Sequence, residues 1–256
     1  MNKIYPIPAF TDNYIWAIHS LKDSNVAVVD PGDSEPVLRY LAENNLSLNA
    51  ILITHHHWDH TGGLPKLLTK FPNIPVYGPE NSVGEITDSL TDQATLTLES
   101  QNLTLTVLEI PGHTLDHIAY VGPEMLFCGD TLFSCGCGRV FEGTPKQMYD
   151  SLNKLATLGD SVKVYCGHEY TLKNLAFAQT IEPQNPAILK HQEDVRRLRM
   201  QGLPSLPSTL KQERDMNPFL RAHLPEIKNS LQSKFGTFPS DPIKIFAELR
   251  KMKDKF

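Results

Sequence analysis

Cysteine is scarce in this chain. The four present, Cys128, Cys135, Cys137 and Cys166, are too few to staple 256 residues together. Cys135-Gly136-Cys137 is a C-x-C with no second pair, which argues against a zinc ribbon built on paired C-x2-C. The cysteines therefore read as reduced and structural. No apolar run approaches a membrane span, and Met1-Asn2-Lys3-Ile4-Tyr5-Pro6 lacks the apolar core of a secretory signal. A reducing cytoplasm is the simplest setting, with no membrane partner. Basic excess is missing too. Lys and Arg number 24 against 29 Asp and Glu, a formal net charge of -5, which argues against a nucleic-acid binder. There is no glycine-rich phosphate loop and no Gly-x-Ser-x-Gly, so nucleotide-kinase and serine-hydrolase chemistry fall away. Internal repeats and low-complexity tracts are absent.

What the chain has instead is a concentration of metal-binding side chains. Thr54-His55-His56-His57-Trp58-Asp59-His60 follows the apolar run Ala50-Ile51-Leu52-Ile53, a short buried strand, and precedes the turn Thr61-Gly62-Gly63. The cluster thus lies in a loop at the carboxyl end of a strand, where α/β sheets place their chemistry. His55 and His57 are two apart, so in extended chain both side chains leave on one side and can share an ion. Asp59 and His60 are adjacent, diverge, and can serve a second ion. Imidazole and carboxylate suit zinc, iron or manganese without any thiolate.

Later strand ends supply matching ligands. Leu103, Leu105 and Val107 alternate with threonines in a half-buried strand that runs towards Pro111-Gly112-His113. Met125-Leu126-Phe127-Cys128 hands over to Gly129-Asp130, and Val162-Lys163-Val164-Tyr165-Cys166 to Gly167-His168. In each case glycine allows the sharp turn that presents the next side chain. Seven such ligands exceed the roughly four that one zinc takes and suit two ions sharing one residue. A carboxylate bridges through its two oxygens, so Asp130 is the expected bridge. His55, His57 and His113 then belong to one ion, and Asp59, His60 and His168 to the other. A paired site makes hydroxide available near neutral pH and takes up charge on a carbonyl or phosphoryl oxygen, which is hydrolytic chemistry. His56 is expected to point away from its neighbours, and His117 to orient a ligand from outside. His19, His191 and His223 read as packing residues.

Strands are expected over residues 3–7, 14–18, 25–29 and 75–78, with a helix opening at Ser34-Glu35-Pro36 and another from Leu64. Residues 80–92 are polar and ambiguous. After Tyr170 strand signals stop. Residues 187–201 read as a helix with Ile188, Val195 and Leu198 on one face, and 209–215 as a further turn or two. Ser240-Asp241-Pro242 caps a last helix whose apolar stripe is Ile243, Phe246 and Leu249. A boundary near residue 170 divides the chain into a catalytic domain, 1–170, and a small helical domain, 171–256.

The stretch from Thr54 through His60 to Gly63 resembles the H-x-H-x-D-H signature of the metallo-β-lactamase superfamily, and His113, Asp130 and His168 fall in its later ligand order. The resemblance implies an α/β fold, the αββα sandwich, with the metals at one edge. Gly129-Asp130-Thr131-Leu132-Phe133, Gly136-Cys137-Gly138-Arg139, Phe141-Glu142-Gly143-Thr144 and Cys166-Gly167-His168-Glu169-Tyr170 are similar to one family within it, glyoxalase II or hydroxyacylglutathione hydrolase. So is Asn217-Pro218-Phe219-Leu220-Arg221 in the helical tail.

That resemblance implies hydrolysis of S-D-lactoylglutathione to D-lactate and glutathione, the second step of methylglyoxal degradation. A metal-bridging hydroxide would attack the thioester carbonyl, with Asp130 as bridge and Asp59 orienting the hydroxide. Two divalent ions per chain are implied, zinc foremost, with iron and manganese also suited. Arg139, Phe141, Tyr170, Arg250 and Lys253 would contact the glutathione moiety. The expected state is a cytoplasmic monomer whose partner is a small-molecule glutathione thioester. Two positions depart from the family pattern: Phe141, where tyrosine is common, and Asp116, where glycine is common. The alternatives are a mononuclear-iron persulfide dioxygenase, which would not need the set Asp59, His60 and His168, and a non-catalytic metal-binding protein.

Overall fold

The computed structural model describes residues 3–20, 22–80, 82–236 and 240–256. The chain forms two units, one of Met1–Glu109 with Asp116–Gly129, the other of Ile110–Leu115 with Asp130–Phe256.

In the first unit, β1 (Lys3–Ala9) and β2 (Asn13–His19) make an antiparallel hairpin, with Lys3 opposite His19 and Ala9 opposite Asn13. β3 (Asn25–Val29) pairs antiparallel with β2. α1 (Ser34–Asn44) follows, then β4 (Ser47–Leu52), parallel to β3. α1 starts where the Asp33 side chain accepts from the Glu35 N–H, and ends at Asn45 in the left-handed region, as capping chemistry demands. After β4 come the single turn α2 (Trp58–Thr61), α3 (Leu64–Lys70), β5 (Val76–Pro79) and β6 (Asp88–Leu90), the last two extending the parallel part of the sheet. Within the ambiguous stretch 80–92, β6 is a short parallel strand at Asp88–Leu90, and residue 81 lies outside the described residues.

A second sheet of the same unit is an antiparallel meander of β7 (Thr95–Leu98), β8 (Leu103–Glu109), β9 (Ile118–Gly122) and β10 (Met125–Gly129). Buried Tyr120 on β9 ties it to the first sheet by donating its hydroxyl to the Ile53 carbonyl at 2.8 Å. Ile7, Ile15, Val26, Val28, Ile51 and Ile53 form a core with Val37 and Leu41 of α1 and Leu64 and Leu67 of α3. The end of β4 is therefore set on a rigid, apolar support.

The second unit begins with the small hairpin β11 (Leu132–Phe133) and β12 (Gly136–Cys137). α4 (Pro145–Ala156) opens on a capping box between Thr144 and Gln147. β13 (Lys163–Cys166) leads into α5 (Thr171–Ile181) and α6 (Pro186–Met200). β14 (Ser208–Thr209) pairs with β13, and α7 (Leu210–Met216), α8 (Pro225–Phe235) and α9 (Pro242–Asp254) complete the chain. Asp241 caps α9 through Ile243 N–H, as the sequence predicts. All four cysteines are buried thiols.

Residues 130–170 pack with the helical tail. The reason is a buried polar grip. Asn217 donates to the carbonyls of Phe133 at 3.2 Å and Gly136 at 2.9 Å. Asn174 donates to the Ser134 carbonyl at 3.0 Å, and Glu213 accepts from the Cys135 N–H at 2.7 Å. Cys135 sits at φ +57, so the hairpin turn depends on this outside support.

Burial raises the pKa of Glu213 above its usual value of 4.5. The folded state thus holds the proton more tightly than the unfolded one, and stability falls as pH climbs from that value through the raised one. Glu213→Gln removes the dependence. The parent's urea midpoint is expected to drop with rising pH across this window more steeply than the variant's; equal slopes would contradict ionisation at Glu213.

Candidate metal centre

Each unit carries a convergent set of metal-ligand atoms. In the first, β4 ends at Leu52 and Ile53-Thr54 lead on to His55, fully buried, with His57, Asp59 and His60 following on the loop and on α2. His55 Nε2 faces His57 Nδ1 at 3.2 Å, and His60 Nε2 lies 3.6 Å from Asp59 Oδ2. In the second unit, His113 Nε2 and His168 Nε2 flank the same oxygen, Asp130 Oδ2, at 3.5 and 3.3 Å. Ligand atoms about 2.0–2.1 Å from a tetrahedral ion lie about 3.4 Å from one another. All four separations match that edge length, so these residues fit divalent cations.

The outward ring nitrogens are held by partners that fix the tautomer. His113 Nδ1–H donates to the Arg139 carbonyl at 2.8 Å. His60 Nδ1–H donates to Asp30 Oδ2 at 3.0 Å. Thr54 donates its backbone N–H to Asp30 Oδ1 at 2.8 Å and its hydroxyl to Asp30 Oδ2 at 2.7 Å. The Thr54 oxygen is then left to accept from His55 Nδ1–H at 3.0 Å. Each of these three rings therefore presents Nε2 as a lone pair, which is how an imidazole binds metal.

Asp30, at φ +53 just beyond β3, is the residue that sequence reasoning missed. Its ligand-type oxygen lies within 4.8 Å of those of His55 and His60. Because its carboxylate already takes the bonds from Thr54 and His60, it serves as their outer partner. The signal was present: Asn25-Val26-Ala27-Val28-Val29 followed by Asp30 repeats the apolar-strand-then-ligand pattern.

His56 Nδ1 lies 3.0 Å from Asp116 Oδ1, while Asp116 Oδ2 accepts from Ser82 Oγ at 2.6 Å. Asp116 is thus a tether for His56. His117 stacks on the His55 ring at 4.5 Å and 13°, so it orients that ligand by packing. Gly129 has φ +45, and a Cβ there would stand 2.3 Å from Thr54 Oγ1 and 2.9 Å from the His117 ring. Only glycine fits between β10 and Asp130. Among the described residues, His19, His191 and His223 enter no group of ligand atoms.

The five expected substrate contacts lie in the second unit. Phe141 is 61% exposed, with its ring 5.3 Å from that of His113. Tyr170 caps α5 and stacks on His168 at 4.7 Å and 6°. Exposed Arg139 lies 3.6 Å from Asp254. Arg250 is buried; it donates to the Cys137 carbonyl at 2.6 Å and pairs with the same Asp254 at 3.0 Å. Lys253 is half-buried, donates to the Lys173 carbonyl at 3.1 Å and lies over the rings of Phe177 and Phe256. Burial lowers its pKa to about 8.

Comparison with known proteins follows the same lines. A family model described as Metallo-beta-lactamase superfamily matches residues 11–168, and one described as Hydroxyacylglutathione hydrolase C-terminus matches residues 169–256. A hydroxyacylglutathione hydrolase from Photobacterium profundum is 51% identical over 257 residues, covering 100% of both chains. Another from Aliivibrio fischeri is 49% identical with the same coverage. The crystal structure of ETHE1 from Myxococcus xanthus has a TM-score of 0.65 at 24% identity, covering 99% of this chain and 98% of that one. Together with the superfamily match, that likeness places the fold among α/β metallo-β-lactamase sandwiches. The full-length identity reaches through the helical tail as well as the ligand-bearing strands, and on it the chain belongs to the hydroxyacylglutathione hydrolase family of the metallo-β-lactamase superfamily.

Proposed function

We propose that this protein hydrolyses S-D-lactoylglutathione to D-lactate and glutathione at a pair of divalent ions. His55, His57 and His113 hold one ion, Asp59, His60 and His168 the other, and Asp130 serves both. The observation that carries this reading is the flanking of Asp130 Oδ2 by one imidazole from each set, His113 at 3.5 Å and His168 at 3.3 Å. When bound, the ions supply hydroxide near neutral pH and charge to offset a developing oxyanion. Zinc is the first choice for this nitrogen and oxygen set; iron and manganese also suit it.

The chain's own residues do the rest. Asp59 orients the attacking water. Arg139 and Lys253 meet the carboxylates of glutathione, Phe141 and Tyr170 flank the thioester beside His113 and His168, and Arg250 adds positive charge while bracing the Cys137 carbonyl. A thiolate leaves readily, so little general-acid help is required. Residues 1–170 form the catalytic module and 171–256 the substrate-binding one. The protein works as a cytoplasmic monomer. Among the described residues no helix is long and apolar enough to cross a membrane.

The test is S-D-lactoylglutathione hydrolysis by purified protein with metals counted on the same sample. Fast turnover with about two ions per chain supports the proposal. Metal-replete protein inert towards glutathione thioesters would overturn it, and oxygen uptake with glutathione persulfide would redirect it to iron dioxygenase chemistry.

Lys253 gives a second check. Its ammonium is charged below its pKa of about 8 and neutral above it. KM is therefore expected to rise as pH climbs through that value. Arg139→Ala with Lys253→Ala should raise KM by on the order of 10-fold with kcat little changed, the mark of lost uniform binding. An unchanged KM would remove both residues from the binding surface.

A further inference from the structure

Asp59 is a partly exposed member of the first unit's ligand set. Its side chain is 23% exposed, against 1% for its neighbour His60. It also sits on α2, a single turn whose N-terminus has no side-chain cap. A carboxylate in that position swings between rotamers unless something outside the helix holds it.

The first residue of β2 does so. Asn13, buried at 7% exposure, donates Nδ2–H groups to Asp59 twice, to its carbonyl at 3.3 Å and to Oδ2 at 3.1 Å. Asp59 Oδ2 is also the oxygen 3.6 Å from His60 Nε2. Beside it, Phe10 at φ +49 lays its ring edge-to-face on Trp58 at 5.0 Å. From the other side Gly32 presses on the Asp59 backbone, so closely that a Cβ would stand 1.8 Å from the Asp59 carbonyl oxygen.

We infer that Asn13 is a positioning residue for the metal loop, fixing the rotamer in which Asp59 offers its carboxylate alongside His60. An uncharged donor suits this task. It binds one carboxylate oxygen without neutralising the charge, leaving Asp59 an anionic ligand. A lysine or arginine in its place would compete with the cation for the same group. The inference rests on the two-ion reading above and adds a residue that touches no ion itself.

The test is a chelator-competition titration that yields both metal dissociation constants, run on the parent, Asn13→Ala and Asn13→Asp, with urea midpoints on the same samples. The weaker constant is expected to rise 10–100-fold in Asn13→Ala, the usual cost of losing an outer partner, while the tighter one stays within a few-fold. Asn13→Asp keeps the buried shape but has no donor, and should lose at least as much; it also carries the test if the alanine variant does not fold. In an Asp59→Ala background, Asn13→Ala should add no further loss, because both changes act through one group. Unchanged constants in Asn13→Ala, full affinity in Asn13→Asp, or additive losses in the double variant would each overturn the inference. A parent that binds only one ion would overturn the two-ion reading and this inference with it; a two-ion parent with an unaffected variant overturns the inference alone.

Discussion

Asp130→Ala is expected to leave a folded protein that keeps neither ion at stoichiometric level and hydrolyses thioester on the order of 1,000-fold more slowly, the several kcal/mol that metal charge supplies to such a transition state. The carboxylate follows β10, whose residues are all buried, and Gly129 turns the chain so that Asp130 emerges between His113 and His168. Removing it leaves two imidazoles facing each other with no anion between them. The set of His55, His57 and His113 would then have to hold a dication with neutral ligands alone, and the other set would keep Asp59 as its one anion. The scaffold should survive, because β10 is held by β9 and by apolar packing that does not involve the carboxylate. Metal analysis together with a urea midpoint separates the outcomes. Two ions retained in a folded Asp130→Ala protein would sink the shared-ligand assignment. Asp130→Asn keeps the shape and removes the charge, so it should also lose metal.

The second large effect is on stability. Asn217 is fully buried, and Nδ2 serves three acceptors: the Phe133 and Gly136 carbonyls and Glu213 Oε2. Its own Oδ1 accepts from the Phe219 N–H at 3.1 Å. Asn217→Ala withdraws a partner from all four groups in a buried interior, and of these Glu213 Oε2 keeps the Cys135 N–H. Each unsatisfied polar group costs about 1–3 kcal/mol, and partial relaxation leaves an expected loss of roughly 3–5 kcal/mol, a large share of a domain's net stability. The urea midpoint reads this directly. A loss under about 1 kcal/mol would mean that water or a rearranged hairpin satisfies the stranded groups. The hairpin β11–β12 precedes Gly138 and Arg139, so surviving variant protein should also show a raised KM.

The candidate ligand positions are legible because they obey a local rule. His55, Asp130 and His168 each follow an apolar strand within a few residues, and the spacing of His55, His57, Asp59 and His60 speaks for itself. Asp30 obeys the same rule and was passed over, because Asp30-Pro31-Gly32 also makes good sense as a strand stop. Its chemistry shows only when Thr54 and His60 are brought beside it, and no periodicity encodes that. α4 was not among the expected elements, although Thr144 and Gln147 spell a capping box; the polar run Lys146, Gln147, Asp150 and Asn153 obscured its buried face of Met148, Leu152 and Leu155. The change of texture at residue 170 is a real change in local periodicity. Packing follows other forces: Asn174, Glu213 and Asn217 reach back to residues 133–136, and long-range polar contacts leave no pattern in a linear chain. Arg250 illustrates the same limit. Its spacing from Lys253 puts both on one helical face, but only the fold shows its guanidinium buried against the Cys137 carbonyl.

The buried cysteines bear on how such an enzyme tolerates its own product. Glutathione released at the site coexists with its disulfide, which captures protein thiolates by thiol–disulfide exchange. Burial pushes the pKa of Cys137 up to about 11, that of Cys166 up to about 12, and that of Cys135 well above its ordinary value. At neutral pH a thiol with a pKa near 11 is ionised to about one part in 10,000, and none of these sulfurs is open to solvent. Cys135, Cys137 and Cys166 are therefore expected to resist mixed-disulfide formation with glutathione, and turnover should be indifferent to the ratio of reduced to oxidised glutathione.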